Sequence, residues 1–312
     1  MNAKRLIINA DDLGMSRGIT DGILIAHRYG ILTSASLMVN MPASEYAVDR
    51  LASTPKLGVG IHLNICQGRP ILSASQVPSL VNSEGRFHSP KEMIHRLWRW
   101  RINPQQLEKE FRAQIRWAKD IGLRLTHADS HHHMHIYPAA LVPFARALLA
   151  EGISRARASR CVQWAQKQFL GGPHEGGIAR RLFVQAYRAT LQSSFFHQLE
   201  CPSRRISFLS RDRRNPEELE RAWLNTLEHF HYGTFELACH PGLPQPGFSE
   251  SDTICQQREN EFRWLTDADF RSVIIRNGIQ LITYRDLCER HAVCDSVVSS
   301  LTHRHLANVR HR

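Results

Sequence analysis

Five histidines fall between His127 and His135, at positions 127, 131, 132, 133 and 135, with Asp129 among them. Imidazole nitrogens beside a carboxylate are the ligand set of a catalytic divalent-metal centre that keeps a position open for water. Three more polar clusters offer the same chemistry: Asp11-Asp12, His62-Leu63-Asn64 and His240-Pro241. Of the adjacent aspartates, one could hold a metal while the other acts as general base toward a water. The pairing of the histidines is open. His131 and His135 stand four apart, which suits a helical turn, whereas His62 with His131 would join two different strands. Asp129 could hydrogen-bond a ligating histidine and fix its tautomer. Taken singly, adjacent aspartates are often a turn and helix cap, and a solitary histidine is often a satisfied core residue. The coincidence of four clusters argues for a site.

The elements that would position these residues alternate between short strands and amphipathic helices. Leu6-Ile7-Ile8 reads as a buried strand running into Asn9-Ala10-Asp11-Asp12. Ser16 caps a helix with Ile19, Ile23 and Ala26 on one face, ending near Gly30. Ala35 to Val39, Gly58 to Leu63, Leu123 to Asp129, Ala156 to Ser159, Ile206 to Leu209, Thr234 to Ala238 and Gln280 to Thr283 read as further strands. Helices are predicted over Ala43 to Ala52, over Lys91 to Ile121 with a break at Asn103-Pro104, over Pro138 to Ala150, and from Asn215-Pro216 onward. Repeated strand–helix units predict an α/β fold with a parallel sheet. The expected form is a single-domain distorted (β/α) barrel of about seven parallel strands, with its site at the C-terminal strand ends. The barrel would occupy 1–290, followed by a basic tail over 291–312.

Strand parity sharpens the expectation. In Gly58-Val59-Gly60-Ile61-His62-Leu63 the apolar residues share one side, and the two glycines share the other with His62. His127, Asp129 and His131 likewise share a side, as do Glu236 and His240. Ionisable residues turned inward are costly to bury unless paired or bound to metal, which favours a functional cavity.

The net charge of +11 invites a nucleic-acid or anionic-membrane reading. Its arginines are scattered in small clusters such as Trp98-Arg99-Trp100-Arg101, with no zinc-finger spacing or aromatic RNA-binding signature beside them. No nucleic-acid partner is therefore expected, and weak contact with a membrane surface stays open. No apolar run approaches the roughly 18–20 residues of a membrane span. Met1 to Arg5 leads directly into a strand, which leaves no room for a signal peptide. Seven cysteines without a CxxC pair read as reduced, structural thiols, so a cytoplasmic location is expected.

Four segments together resemble the YdjC-like carbohydrate deacetylases, a family that includes chitooligosaccharide and hopanoid-biosynthesis-associated deacetylases. They are Asn9-Ala10-Asp11-Asp12-Leu13-Gly14, Gly58-Val59-Gly60-Ile61-His62-Leu63, Thr126 through His135, and Glu236-Leu237-Ala238-Cys239-His240-Pro241-Gly242. They stand in the family's order, and the likeness runs on to Tyr284-Arg285-Asp286-Leu287. The resemblance implies a distorted β/α barrel and removal of an acetyl group from an N-acetylated amino sugar. It implies Asp12, His62 and His131 as metal ligands and Asp11 as general base, which favours the cross-strand histidine pair. A water on the metal would attack the acetamide carbonyl, and His240 is the candidate acid for the leaving amine. His133, His135 and Arg157 are the remaining candidates for contact with substrate or for support of the residues that make it.

The family implies magnesium, while two histidines with an aspartate suit zinc or another transition metal as well. A chitooligosaccharide such as chitobiose is the default substrate, because the loop from Gly68 to Pro90 and the stretch from Val162 to Pro202 match no familiar pattern. A lipid-linked N-acetylglucosamine is the rival substrate, and a metal-dependent phosphoesterase is a second hydrolytic reading. A non-catalytic basic protein binding nucleic acid or membrane is the alternative of a different class. The sequence leaves a homodimer open.

Overall fold

The computed structural model describes residues 4–157, 198–207, 233–248 and 252–287. The helix predicted from Asn215, most of the stretch from Val162 to Pro202 and the 291–312 tail lie outside the described residues.

The chain folds as α/β with every strand pairing parallel. β1 (Lys4–Leu13) runs through the middle, and its Leu6, Ile7 and Ile8 are buried, as expected of a strand covered on both faces. β2 (Ser34–Leu37), β3 (Gly58–Leu63) and β4 (Ala128–Ser130) follow on one side. β5 (Arg204–Ser207) and β6 (Gly233–Cys239) complete the path β4-β3-β2-β1-β6-β5 on the other. Off this path, β7 (Ile279–Leu281) pairs with Lys4 to Leu6 of β1, below the point where β2 takes over at Asn9.

The sheet therefore curls into a half-barrel whose path counts six strands, where about seven around a barrel were expected. The reason is that β2 and β7 share one edge of β1 instead of occupying successive positions. Two expected strands shorten. From Leu123 to Asp129, only Ala128 onward pairs in register with β3, though Thr126 N–H still donates to Val59 O at 2.7 Å. The strand expected at Ala156 to Ser159 appears as isolated bridges, Ala128 with Ala156 and Arg155 with Glu200, which carry the curl past β4.

The helices follow local signals. α1 (Arg17–Tyr29) starts where Ser16 Oγ accepts from Ile19 N, and α2 (Ser44–Leu51) follows β2. Asn103-Pro104 divides the long helical run into α3 (Pro90–Trp98) and α4 (Pro104–Asp120), with Asn103 capping the second. A 3-10 turn (His131–Ile136) leads into α5 (Pro138–Ala150), which packs on α4 through an edge-to-face Phe111–Phe144 contact. α6 (Cys255–Leu265) and α7 (Ala268–Arg276) precede β7. Among the described residues, no helix is long and apolar enough to cross a membrane.

Candidate active site

Asp11 and Asp12 end β1, His62 ends β3, Asp129 lies in β4 and His240 follows β6. Successive side chains on a regular strand point to opposite faces, so two adjacent aspartates should not serve one site. The backbone resolves this. The β1–β2 register shifts between Ala10 and Leu13, and Asp12 takes φ 68°. A bulge re-aims side chains in this way, and a left-handed non-glycine residue costs on the order of 1–3 kcal/mol.

Asp12 Oδ1 stands 3.0 Å from His131 Nδ1 and 3.5 Å from His62 Nε2. Its second oxygen accepts from Arg258 Nη2 at 2.8 Å, and Arg258 Nε donates to Asp252 at 2.6 Å. His62 presents Nε2 to Asp12 because its Nδ1 is tied to Asp129 Oδ1 at 2.7 Å. Asp129 Oδ2 in turn accepts from Ser36 Oγ at 2.9 Å and lies 2.8 Å from Arg157 Nη2. Ligand atoms of Asp12, His62 and His131 all lie within 4.8 Å of one another, and all three residues are buried.

Arg157 is the hub beneath this set. It is 1% exposed, donates to both oxygens of Asp11, lies against Asp129, and gives Nε to Glu236 Oε1 at 2.8 Å. Its guanidinium thus joins carboxylates from β1, β4 and β6. Bidentate geometry of this kind is what arginine supplies and lysine does not. Asp11 also accepts from Asn9 Nδ2 at 3.1 Å and faces His240 Nε2 at 3.7 Å. His240 is held from behind, its backbone N–H donating to Glu261 Oε2.

Charge states follow from these contacts. Burial pushes the Asp12 carboxyl up, but His131 and Arg258 override it and hold it well below the usual range. Asp11 and Asp129 behave alike: burial opposes ionisation, and Arg157 leads the attractions that lower both. His62 is raised to about 10 against its own burial, by Asp129 and then Asp12. Burial lowers His240 despite Asp11 beside it. Glu236 is pushed up by burial in spite of Arg157. Cys66 is pushed up to about 12 by burial and then by the Asp12 charge.

The histidine cluster divides. His131 joins His62 and Asp12, and its Nε2 meets Gln67 Oε1 at 3.1 Å. His135 does not join them. Its Nδ1 lies 2.6 Å from Ser130 Oγ and its ring stacks on Phe144. The helical pairing of His131 with His135 fails because His132 and His133 take φ 50° and 54°, so the segment is not one α-turn. His133 Nε2 lies 2.8 Å from Arg205 Nη2. His127 sits beneath the set, stacked on Tyr284 at 3.8 Å with its Nε2 near Ser36. A Cβ on Gly60 would strike the His127 ring, so the glycine of β3 makes room for that histidine.

A model of the YdjC-like protein family matches residues 5–276. The chain belongs to the YdjC-like family. A carbohydrate deacetylase of Geobacillus stearothermophilus is 34% identical over 281 residues, covering 90% of this chain and 96% of that one. A carbohydrate deacetylase of Brevibacillus brevis is 30% identical over 289 residues, covering 91% and 99%. A crystal structure from Enterococcus faecalis, ascribed to cellobiose-phosphate cleavage, superposes with TM-score 0.72 at 24% identity, covering 92% of this chain and all of that one. That likeness concerns the fold.

Sequence reasoning about this YdjC-like chain missed Arg258, Ser36 and Gln67. Arg258 belongs to α6 and is 246 positions from the aspartate it holds. An arginine-rich composition hides such a residue, and its only local signal is burial on a polar helix, which the sequence does not display. Arg157, expected to contact substrate or to support the site from behind, is surrounded by three carboxylates.

Proposed function

We propose that this YdjC-like chain is a metal-dependent hydrolase that removes the acetyl group from an N-acetylated amino sugar. The substrate class we infer is an N-acetylglucosamine oligosaccharide such as chitobiose or a longer chitooligosaccharide. One observation carries the reading. The buried Asp12 Oδ1 faces two imidazole nitrogens without a well-formed hydrogen bond, while the neighbouring carboxylate of Asp11 faces His240. Buried donor atoms converging without hydrogen-bond geometry suit a cation. The carbohydrate deacetylase names of the relatives support the same chemistry.

Asp12, His62 and His131 would hold the ion, and two imidazoles with a carboxylate suit zinc or another transition metal as well as magnesium. When bound, a divalent ion supplies Lewis-acid polarisation of the acetamide carbonyl and acidifies a water. The remaining steps belong to the chain. Asp11, kept ionised and aimed by the Arg157 clamp, takes a proton from the attacking water. His240 lies 3.7 Å from Asp11 and is kept neutral by burial, so it relays that proton: Nε2 receives it and Nδ1 releases one to the leaving amine. Its buried Nδ1 has no hydrogen-bond partner among the described residues, which leaves it available for this task. Asp129 fixes the tautomer of His62.

The test is acetate release from chitobiose, longer chitooligosaccharides and N-acetylglucosaminyl lipids, with metal analysis of the same sample. Asp11→Asn should retain metal and lose acetate release. Full activity in Asp11→Asn or in His62→Ala would overturn the assignment. A lipid-linked N-acetylglucosamine is the second reading, favoured by one observation: Trp100 is 68% exposed between Arg99 and Arg101, which are also exposed. An aromatic flanked by cations suits a lipid interface. Release from the lipid substrate alone would select it.

A further inference from the structure

A thiol and two imidazoles meet beside the Asp12–His62–His131 set. One ligand atom from each of Cys66, His131 and His132 lies within 4.8 Å of the other two. They come from separate segments, Cys66 just past β3 and the histidines at the end of β4. Cys66 is a free, buried thiol whose Sγ makes one weak hydrogen bond among the described residues, 3.8 Å to Asn64 Oδ1. His132 is exposed, and its left-handed backbone accompanies a ring 4.3 Å from that of His131. The group thus has a buried soft donor at one end and an opening to solvent at the other.

We propose that Cys66, His131 and His132 form a second cation site, selective for thiophilic ions such as Cd²⁺ or Zn²⁺, that shares His131 with the Asp12–His62–His131 set. The argument rests on donor chemistry. A sulfur with two imidazoles prefers soft ions, whereas a set containing a carboxylate and no sulfur also accepts harder ones. Binding replaces the S–H bond with a sulfur–metal bond and releases the proton to solvent. Because His131 belongs to both sets, an ion held by Cys66 competes with one held by Asp12 and His62.

The experiment titrates the full chain with cadmium and follows the ultraviolet thiolate-to-cadmium absorption. The wild type should show a saturable band, and Cys66→Ser should lose it. His132→Ala, at an exposed position where folding is not at risk, should weaken cadmium binding by at least about tenfold, the least that losing even an outer partner of a ligand costs. Asp12→Asn should keep the band or strengthen it, since His131 is released from its competitor. A band that survives Cys66→Ser arises from another cysteine and overturns the proposal. Unchanged affinity in His132→Ala would mean a thiol acting alone, and loss of the band in Asp12→Asn would mean a single site; either overturns it. None of these readouts involves acetate release, so the outcome is separate from that of the proposed activity.

Discussion

Two regions of the molecule bury carboxylates and treat them in opposite ways. At the strand ends, Asp11, Asp12 and Asp129 are 2% exposed or less, yet each is held below its ordinary range. In the wall of the half-barrel, Glu110 of α4 is fully buried and is pushed up. The difference lies in what stands within reach. Among the described residues, Glu110 meets only neutral donors, the backbone N–H groups of Ile71 and Leu72 and the amide of Gln114, which fasten the segment after β3 to α4. The strand-end carboxylates meet two arginines brought from distant parts of the chain. Burial opposes the charge in both places; Arg157 and Arg258, with the histidines, outweigh it at Asp11, Asp12 and Asp129, whereas at Glu236 Arg157 does not. One region is built to keep charge, the other to keep shape.

Substitutions can break that contrast. The largest effect is expected for Asp11→Asn, which should lower acetate release by about 10²–10⁴-fold, the usual worth of a general base, with metal content unchanged by elemental analysis. Retained activity would remove Asp11 from the chemistry. Arg157→Met should be the most destabilising change. It strands three buried carboxylates and should cost about 3–5 kcal/mol in a urea melt. Arg157→Lys should recover only part, since one ammonium cannot bridge Asp11, Asp129 and Glu236 together.

Arg258→Lys should be milder in stability but should weaken metal binding about 10–100-fold by chelator competition, because it loosens Asp12 without removing a ligand. Unchanged affinity would reduce Arg258 to a structural contact between α6 and β1.

The wall gives a smaller effect of opposite sign. The folded pKa of Glu110 lies above its unfolded value, so its contribution is fully present below the unfolded carboxylate pKa of about 4.3 and is lost as pH rises through the folded value. Wild-type stability relative to Glu110→Gln should therefore fall as pH is raised from about 4 to about 8. At Asp12 and Asp129 the folded pKa is depressed, so their contribution is present above the unfolded value and disappears as pH falls. A rising difference for Glu110 would erase the contrast between the regions. The smallest effect should come from Trp100→Ala, within about 0.5 kcal/mol by thermal melt. Loss of binding to anionic vesicles in that variant would favour the lipid-linked substrate.

Much of the molecule was legible before any coordinates. The cap at Ser16, the break at Asn103-Pro104 and the proline opening the run at Pro138 act within a few residues, so they located α1, α4 and α5 closely. Alternation in Gly58 to Leu63 showed which face His62 and the two glycines share, and that face does meet His127, Asp12 and Asp129. The strand count was less legible. A three-residue strand such as β7 carries too little pattern to show that it shares an edge of β1 with β2.

By itself, the sequence determined which residue types gather at the ends of strands, because parity and capping are local properties of the chain. It could not determine that both Asp11 and Asp12 face one site, since a regular strand forbids it. That depends on a register shift and a left-handed residue that form only against β2. Spacing alone left His131 and His135 as equal partners for Asp12, and only the family resemblance favoured His131; the left-handed pair between them removes the helical spacing. The choice of which arginines neutralise the site was equally a tertiary matter. Arg157 and Arg258 lie 146 and 246 positions from their aspartates. Charge pairing acts through space, and only the folded sheet brings those distances down to a hydrogen bond.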